Sequence, residues 1–175
     1  MTEDKQRKRS LTKTRVMLSA VVQNSSFVPK ETQTSPHLIF AHRGASHFAP
    51  ENTIAAFDKA VDMDADFLEL DVQRNADGEL IVIHDTTLDR TTNATGPVKS
   101  VTNEMLRTID AGSWFDRSFS GERIPTLKAV IKRYAGKNGL LNELKKPYLY
   151  RGIDQTIEKI CPQTNDIGAF YRSVV

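Results

Sequence analysis

Cysteine is nearly absent from this 175-residue chain. Cys161 is the only one, which excludes an internal disulfide and a cluster of thiolate metal ligands. Aromatic residues are sparse at 7%, with Trp114 the single tryptophan. Charge of one sign is lacking too, since 24 Lys and Arg oppose 22 Asp and Glu for a net charge of +2. Much of the basic excess sits in Lys5, Arg7, Lys8, Arg9, Lys13 and Arg15, opposed locally by Glu3 and Asp4 alone. No basic stripe or aromatic-interleaved patch follows, which argues against nucleic acid as a partner. No apolar run is long enough to span a membrane as a helix. The stretch from Val16 to Val22 is signal-like but of minimum length, and polar Gln23-Asn24-Ser25-Ser26 follows without a small-x-small cleavage site. Residues 1–36 therefore read as a basic leader and linker ending at Pro36, compatible with either a cytoplasmic or a secreted protein.

From residue 37 onward the pattern is that of a folded domain. Leu38-Ile39-Phe40-Ala41 is an apolar run of strand length that stops at His42-Arg43-Gly44. Pro50-Glu51-Asn52-Thr53 has the composition of a helix start, ahead of Ile54, Phe57 and Val61 on one helical face. In the next strand Leu68, Leu70 and Val72 alternate with Glu69 and Asp71. Side chains alternate across a strand, so both carboxylates lie on one face and the aliphatics on the other. Asn75-Ala76-Asp77-Gly78 is a turn signal before Leu80-Ile81-Val82-Ile83-His84, and the link is too short for a crossover helix, so a hairpin is expected. A turn centred on Asp77-Gly78 sets His84 opposite Asp71, and one a residue earlier sets it opposite Glu69.

Residues 86–125, rich in Thr, Asn, Gly and Ser, read as a small irregular insertion over the site. A helix through Leu127, Val130, Ile131 and Tyr134 follows, then a strand from Gly139 on which Leu141, Glu143 and Lys145 share a face. Residues 150–160 fit one more helix. From Gln163 to Val175 no clear strand or sustained apolar face is visible, so residues 37–160 form the barrel-like part and 161–175 an atypical tail.

Strand ends thus carry His42, Glu69 with Asp71, His84, and Glu143 with Lys145. In parallel α/β barrels functional groups gather at the carboxyl ends of the strands. Each group alone has a bland reading: an exposed face for the Glu-x-Asp pair, a structural role for a strand-end histidine, a surface cluster for Glu143 beside its lysines. Convergence changes the balance. Three carboxylates at one point repel unless a cation lies between them, and an all-oxygen set favours Mg²⁺ or Ca²⁺. Two imidazoles beside one divalent ion can divide the work of base and acid, while Arg43 and Lys145 suit a phosphate. His37 and His47 carry no such context.

His42-Arg43-Gly44, Pro50-Glu51-Asn52-Thr53, Glu69-Leu70-Asp71-Val72, the Asp77-Gly78 turn, Ile83-His84-Asp85, Asp89-Arg90-Thr91-Thr92, Asp110-Ala111-Gly112-Ser113-Trp114-Phe115, Ile124-Pro125-Thr126-Leu127 and Glu143-Leu144-Lys145 follow in an order that resembles glycerophosphodiester phosphodiesterases. The resemblance implies a TIM-type (β/α) barrel that hydrolyses glycerophosphodiesters, such as deacylated phospholipids, to glycerol phosphate and an alcohol. It implies His42 and His84 as the acid/base pair, Glu69, Asp71 and Glu143 as ligands of one Ca²⁺ or Mg²⁺, Arg43 and Lys145 as phosphate contacts, and Glu51 as a supporting group. Three features depart from the pattern. Asp64 stands where a helix-ending glycine is usual. Asn142 replaces an apolar, helix-facing residue. Only thirty residues follow Lys145, whereas such barrels run to about 250 residues. The expectation is an N-terminal half barrel, a fragment or frameshifted product, that turns over poorly because its strand edges are open. The alternatives are a non-catalytic remnant and a phosphoinositide-type phospholipase C, the latter disfavoured by the insertion.

Overall fold

The computed structural model describes residues 37–144 and the backbone of a strand at Ala169–Ser173. In chain order these contain β1 (Phe40–Ala41), α1 (Ile54–Asp62), β2 (Phe67–Arg74), β3 (Leu80–Val82), α2 (Asn103–Leu106), α3 (Leu127–Tyr134), β4 (Gly139–Leu144) and β5 (Ala169–Ser173). Strands β1, β2, β4 and β5 are parallel neighbours in that order. The β1–α1–β2 crossover, and the return through α3 to β4, are the repeating step of a β/α barrel. Lys145, the helix expected over 150–160, and Cys161 lie outside the described residues.

Helix α1 begins where the sequence places it. The Thr53 hydroxyl accepts the Ala56 N–H at the amino end, and Ala56, Phe57 and Ala60 are buried. Two residues past its end, Asp64 turns the chain away with a φ of 57°, a left-handed conformation at a non-glycine residue. Leu127, Val130, Ile131 and Tyr134 make the buried face of α3. Both helices pack on one side of the sheet, against Leu68, Leu70, Val72, Leu140 and Leu144. Asn142 lies on that apolar side, fully buried, with neither carboxamide atom hydrogen bonded.

The other side of the sheet faces the barrel interior. Its floor is aromatic: Phe40 pairs in register with Phe67, their rings stacked at 4.6 Å, and Phe67 pairs with Gly139. A Cβ on Gly139 would sit 2.2 Å from the Phe67 ring, so only glycine fits beneath it. Above this floor come Glu69, then Asp71 directly beside Glu143.

Three expectations need correction. The first strand is shorter than Leu38–Ala41. Leu38, Ile39 and Phe40 stay about half exposed because, among the described residues, β1 pairs on one edge only. The hairpin takes neither expected register. Val72 faces Val82 and Arg74 faces Leu80, which leaves a five-residue loop. Asn75 causes this: its side-chain oxygen accepts the N–H groups of both Asp77 and Glu79, wrapping a longer loop around itself. Finally, β5 forms where the sequence shows no clear strand pattern, with Glu143 in register with Arg172.

Residues 86–125 build a separate small core. Ile83, Leu88, Val98, Val101, Leu106, Ile109 and Ile124 pack with Ile81 from β3. Asp110 ties the far end together by accepting the backbone N–H groups of Gly112, Ser113 and Gly121, and these bonds hold its carboxyl well below the usual range. Among the described residues, no helix is long and apolar enough to cross a membrane.

Candidate active site

Glu69 and Asp71 project from one face of β2, and the parallel register sets Glu143 of β4 alongside Asp71. One oxygen from each of the three carboxylates lies within 4.8 Å of the others. Glu69 and Asp71 are buried and Glu143 is partly buried. Burial first, then the neighbouring charges of Asp71 and Glu143, push the Glu69 carboxyl up to about 7, against the opposing effect of the Arg43 N–H. Three hard oxygen donors with an excess of negative charge fit a divalent cation of the Ca²⁺ or Mg²⁺ type.

The loop after β1 wraps this cluster. Arg43 has φ of 57° and Gly44 of 78°, so the chain turns sharply and the Arg43 N–H reaches Glu69 Oε2 at 2.8 Å. Two successive left-handed residues, one of them not glycine, store strain of about 1–3 kcal/mol at this point. An added Cβ on Gly44 would meet the Ala56 backbone at 2.7 Å, so the loop must lie flat on α1. The Arg43 guanidinium contacts Asp71 Oδ2 at 3.2 Å and donates to Glu51 Oε1 at 3.0 Å. His42 is largely exposed, with Nε2 at 4.0 Å from Glu69 Oε2.

Asn52, read from the sequence as part of a helix start, does something further. It is buried, left-handed at φ of 59°, and its carboxamide donates to Asp71 Oδ2 at 2.9 Å while accepting the Asp71 N–H at 3.3 Å. Thr53 already supplies the cap, and that redundancy was the available signal.

His84 does not meet Glu69 or Asp71, as either expected register required. The carboxylate it meets is that of its neighbour, with Nδ1 at 2.6 Å from Asp85 Oδ1. Gln73 of β2 holds the local backbone by donating to the carbonyls of Ile83, His84 and Asp85. Arg90 grips Asp85 through Nε at 2.7 Å and Nη2 at 3.1 Å, and Glu51 through Nη1 and Nη2 at 2.8 Å each. The Arg90 bonds hold the Asp85 carboxyl down at about 2, with His84 adding to the effect. Burial acts to raise Glu51, but Arg90 and Arg43 outweigh it and keep its carboxyl below the usual range. Glu51 is therefore an ionic bridge between two arginines.

A parallel β/α sheet with carboxylates, histidines and arginines collected at its carboxyl ends defines a TIM-type α/β enzyme fold. Residues 42–164 match the Glycerophosphoryl diester phosphodiesterase family, and the chain belongs to that family. The YhdW protein of Bacillus subtilis is 57% identical over 125 residues, which cover 71% of this chain and 51% of that one. The crystal structure of a glycerophosphodiester phosphodiesterase from Agrobacterium tumefaciens superposes with a TM-score of 0.71 at 43% identity, over 79% of this chain and 58% of that one. An Oleispira antarctica phosphodiesterase in complex with the product sn-glycerol-3-phosphate gives 0.71 at 34% identity, over 78% and 57%. The chain spans about half the length of the curated relatives it matches.

Proposed function

We propose that the described site belongs to an enzyme that hydrolyses glycerophosphodiesters to glycerol phosphate and an alcohol with one Ca²⁺ or Mg²⁺ ion. The observation that carries this reading is the Glu69, Asp71 and Glu143 cluster, three oxygen donors within 4.8 Å, with His42 and Arg43 of the β1 loop against it. Family membership and the product-bound Oleispira relative support the substrate class.

These three carboxylates would hold the cation, which supplies charge neutralisation at a phosphoryl oxygen. The chain's own residues do the rest. Arg43, already at the carboxylates, offers a planar donor for phosphate oxygens, and Lys145 is proposed as a second phosphate contact. With a proton on Nδ1 towards Asp85, the neutral His84 ring would present a lone pair on Nε2 and the charged ring a proton there. His42 is exposed on the opposite loop and is proposed as the partner in acid/base transfer, one ring taking the proton of the attacking hydroxyl and the other giving one to the leaving alkoxide. Asn52 keeps Asp71 oriented from behind. In domain terms, residues 37–160 are proposed as barrel, with 86–125 inserted over its mouth.

The test is release of glycerol phosphate from glycerophosphocholine with added Ca²⁺ or Mg²⁺, alongside calorimetric titration of the same ions. Slow, cation-dependent release that is lost in Asp71→Asn is expected of this half-length chain, since that change removes a ligand charge at the centre of the cluster. Release that persists in a chelator, or in Asp71→Asn, refutes the reading. Binding of the cation without turnover of this substrate favours the non-catalytic alternative.

A further inference from the structure

Arg90, like Arg43, joins two carboxylates, but among the described residues it alone does so through four hydrogen bonds. Arg133 also forks onto a carboxylate, at 2.9 and 2.6 Å from Asp58, and lies over the Tyr134 ring at 5.8 Å, but among the described residues it holds one carboxylate, not two, and it sits in the last turn of α3. Arg90 spends both edges of its guanidinium, one on Asp85 and one on Glu51, with four contacts of 2.7 to 3.1 Å. Each of those carboxylates has a second partner in the site: Asp85 holds His84 Nδ1, and Glu51 holds Arg43. A continuous ionic chain therefore runs His84, Asp85, Arg90, Glu51, Arg43, Asp71 around the rim.

We propose that Arg90 is a positioning residue for the reaction: by clamping Asp85 and Glu51 together it fixes His84 in the Nδ1–H tautomer and locks the ring's placement relative to Arg43. The inference rests on the proposed phosphodiesterase reading for its catalytic meaning, while its structural content stands apart from it. Geometry argues for it first. His84 follows the last residue of β3 by two positions and, among the described residues, has no ladder partner, so there only Gln73 on its carbonyl and Asp85 on its ring hold it. Asp85 is itself on a loop, and a lone carboxylate there would swing between rotamers. The guanidinium edge removes that freedom, and its second edge anchors the pair to Glu51 at the start of α1. An ionised carboxylate only accepts, so Asp85 in this grip forces the proton onto Nδ1 and leaves Nε2 for substrate. A lysine in place of Arg90 keeps the charge but is a point donor that cannot span two carboxylates on two edges.

The test uses the full chain carrying Arg90→Lys or Arg90→Met, with Arg133→Lys as the control for losing an arginine fork elsewhere. Three quantities are read: kcat and KM on glycerophosphocholine, cation affinity by calorimetry, and the His84 ring tautomer from imidazole ¹⁵N spectra above pH 8. Both Arg90 variants are expected to lose about 10- to 100-fold in kcat, the range for partners that orient a functional group. KM should change much less, cation affinity should stay within about twofold, and His84 should pass from one tautomer to a mixture. Arg133→Lys should leave all three unchanged. Arg90→Lys with full kcat, or with His84 still wholly Nδ1–H, overturns the proposal. If the unmutated chain does not turn over, kcat gives no reading and the tautomer alone decides the fate of the clamp.

Discussion

The two halves of the mouth are held by different physics. Glu69, Asp71 and Glu143 sit on β2 and β4, where backbone register fixes their spacing. Arg43, His84, Asp85 and Arg90 sit on loops, and ion pairs among side chains fix theirs. A ladder is cooperative and buried, so its geometry survives changes of solvent. Partly exposed ion pairs contribute little to stability and are screened by salt. The strand half should therefore govern whether a cation binds, and the rim whether chemistry follows.

Breaking the strand half has the largest expected effect. Gly139→Val places a branched side chain where a Cβ alone would lie 2.2 Å from the Phe67 ring. The ring cannot yield without breaking its stack on Phe40, so the cost is overpacking of about 3 kcal/mol. Because Gly139 opens β4, the displacement should carry to the Asp71–Glu143 pairing. Thermal unfolding should shift down and cation affinity should fall in the same variant. A lowered melting temperature with unchanged cation binding would show instead that the cluster does not depend on strand register.

The second effect is smaller and sharpens the contrast through pH. Glu69 lies at about 7 in the folded protein against an ordinary value of 4.5. The folded value is the higher one, so the folded state holds the proton more tightly. Without a cation this group favours the folded state below about pH 4.5 and loses that contribution as pH rises towards 7. A bound divalent ion must displace the proton, so affinity should rise about tenfold between pH 6 and pH 8, or about 1.4 kcal/mol. Stabilisation by added Mg²⁺ or Ca²⁺, followed by thermal shift, reads this directly. Asp85 behaves oppositely: held at about 2, its contribution to the rim is present above an ordinary value near 4 and is lost only as pH falls towards 2. An ion-induced shift of equal size at pH 6 and pH 8 would contradict the assignment of Glu69 to the cation.

The same division explains what was legible in the sequence. Period-two alternation in Glu69-Leu70-Asp71-Val72 exposes the strand half, because strand side chains have nowhere else to point. The α1 boundary was legible for a similar reason: Thr53 has one local job. The rim was not legible, because it depends on loop paths. Asn75 capturing two N–H groups shifted the hairpin register, and that shift moved His84 away from β2 and onto Asp85. Asp85 and Arg90 stood inside recognised motifs, yet their pairing depends on the chain after His84 folding back on itself, which no periodicity encodes. Asn52 was hidden by a plausible role in capping, and its real partner, Asp71, is nineteen residues away. Family resemblance supplied Glu51 without its reason, the pair of arginines that share it.

The smallest expected effect isolates the far side of the sheet. Asn142 alternates with Glu143 on β4 and so points at the helices, where its carboxamide is fully buried and makes no hydrogen bond. A buried amide without partners loses its hydration and recovers nothing. Leucine has similar volume and would join Leu140 and Leu144 on the same apolar face. Asn142→Leu should raise stability by about 1 kcal/mol, a modest gain because removing the unsatisfied amide is offset in part by repacking around a differently shaped side chain. Cation affinity should not move, since residue 142 and residue 143 face opposite sides of the strand. A gain in stability with unchanged affinity would show the two faces of β4 to be energetically separable, one serving the fold and the other the site. A change in affinity would mean that packing behind the strand sets the position of Glu143, and the strand half would then be less rigid than its ladder implies.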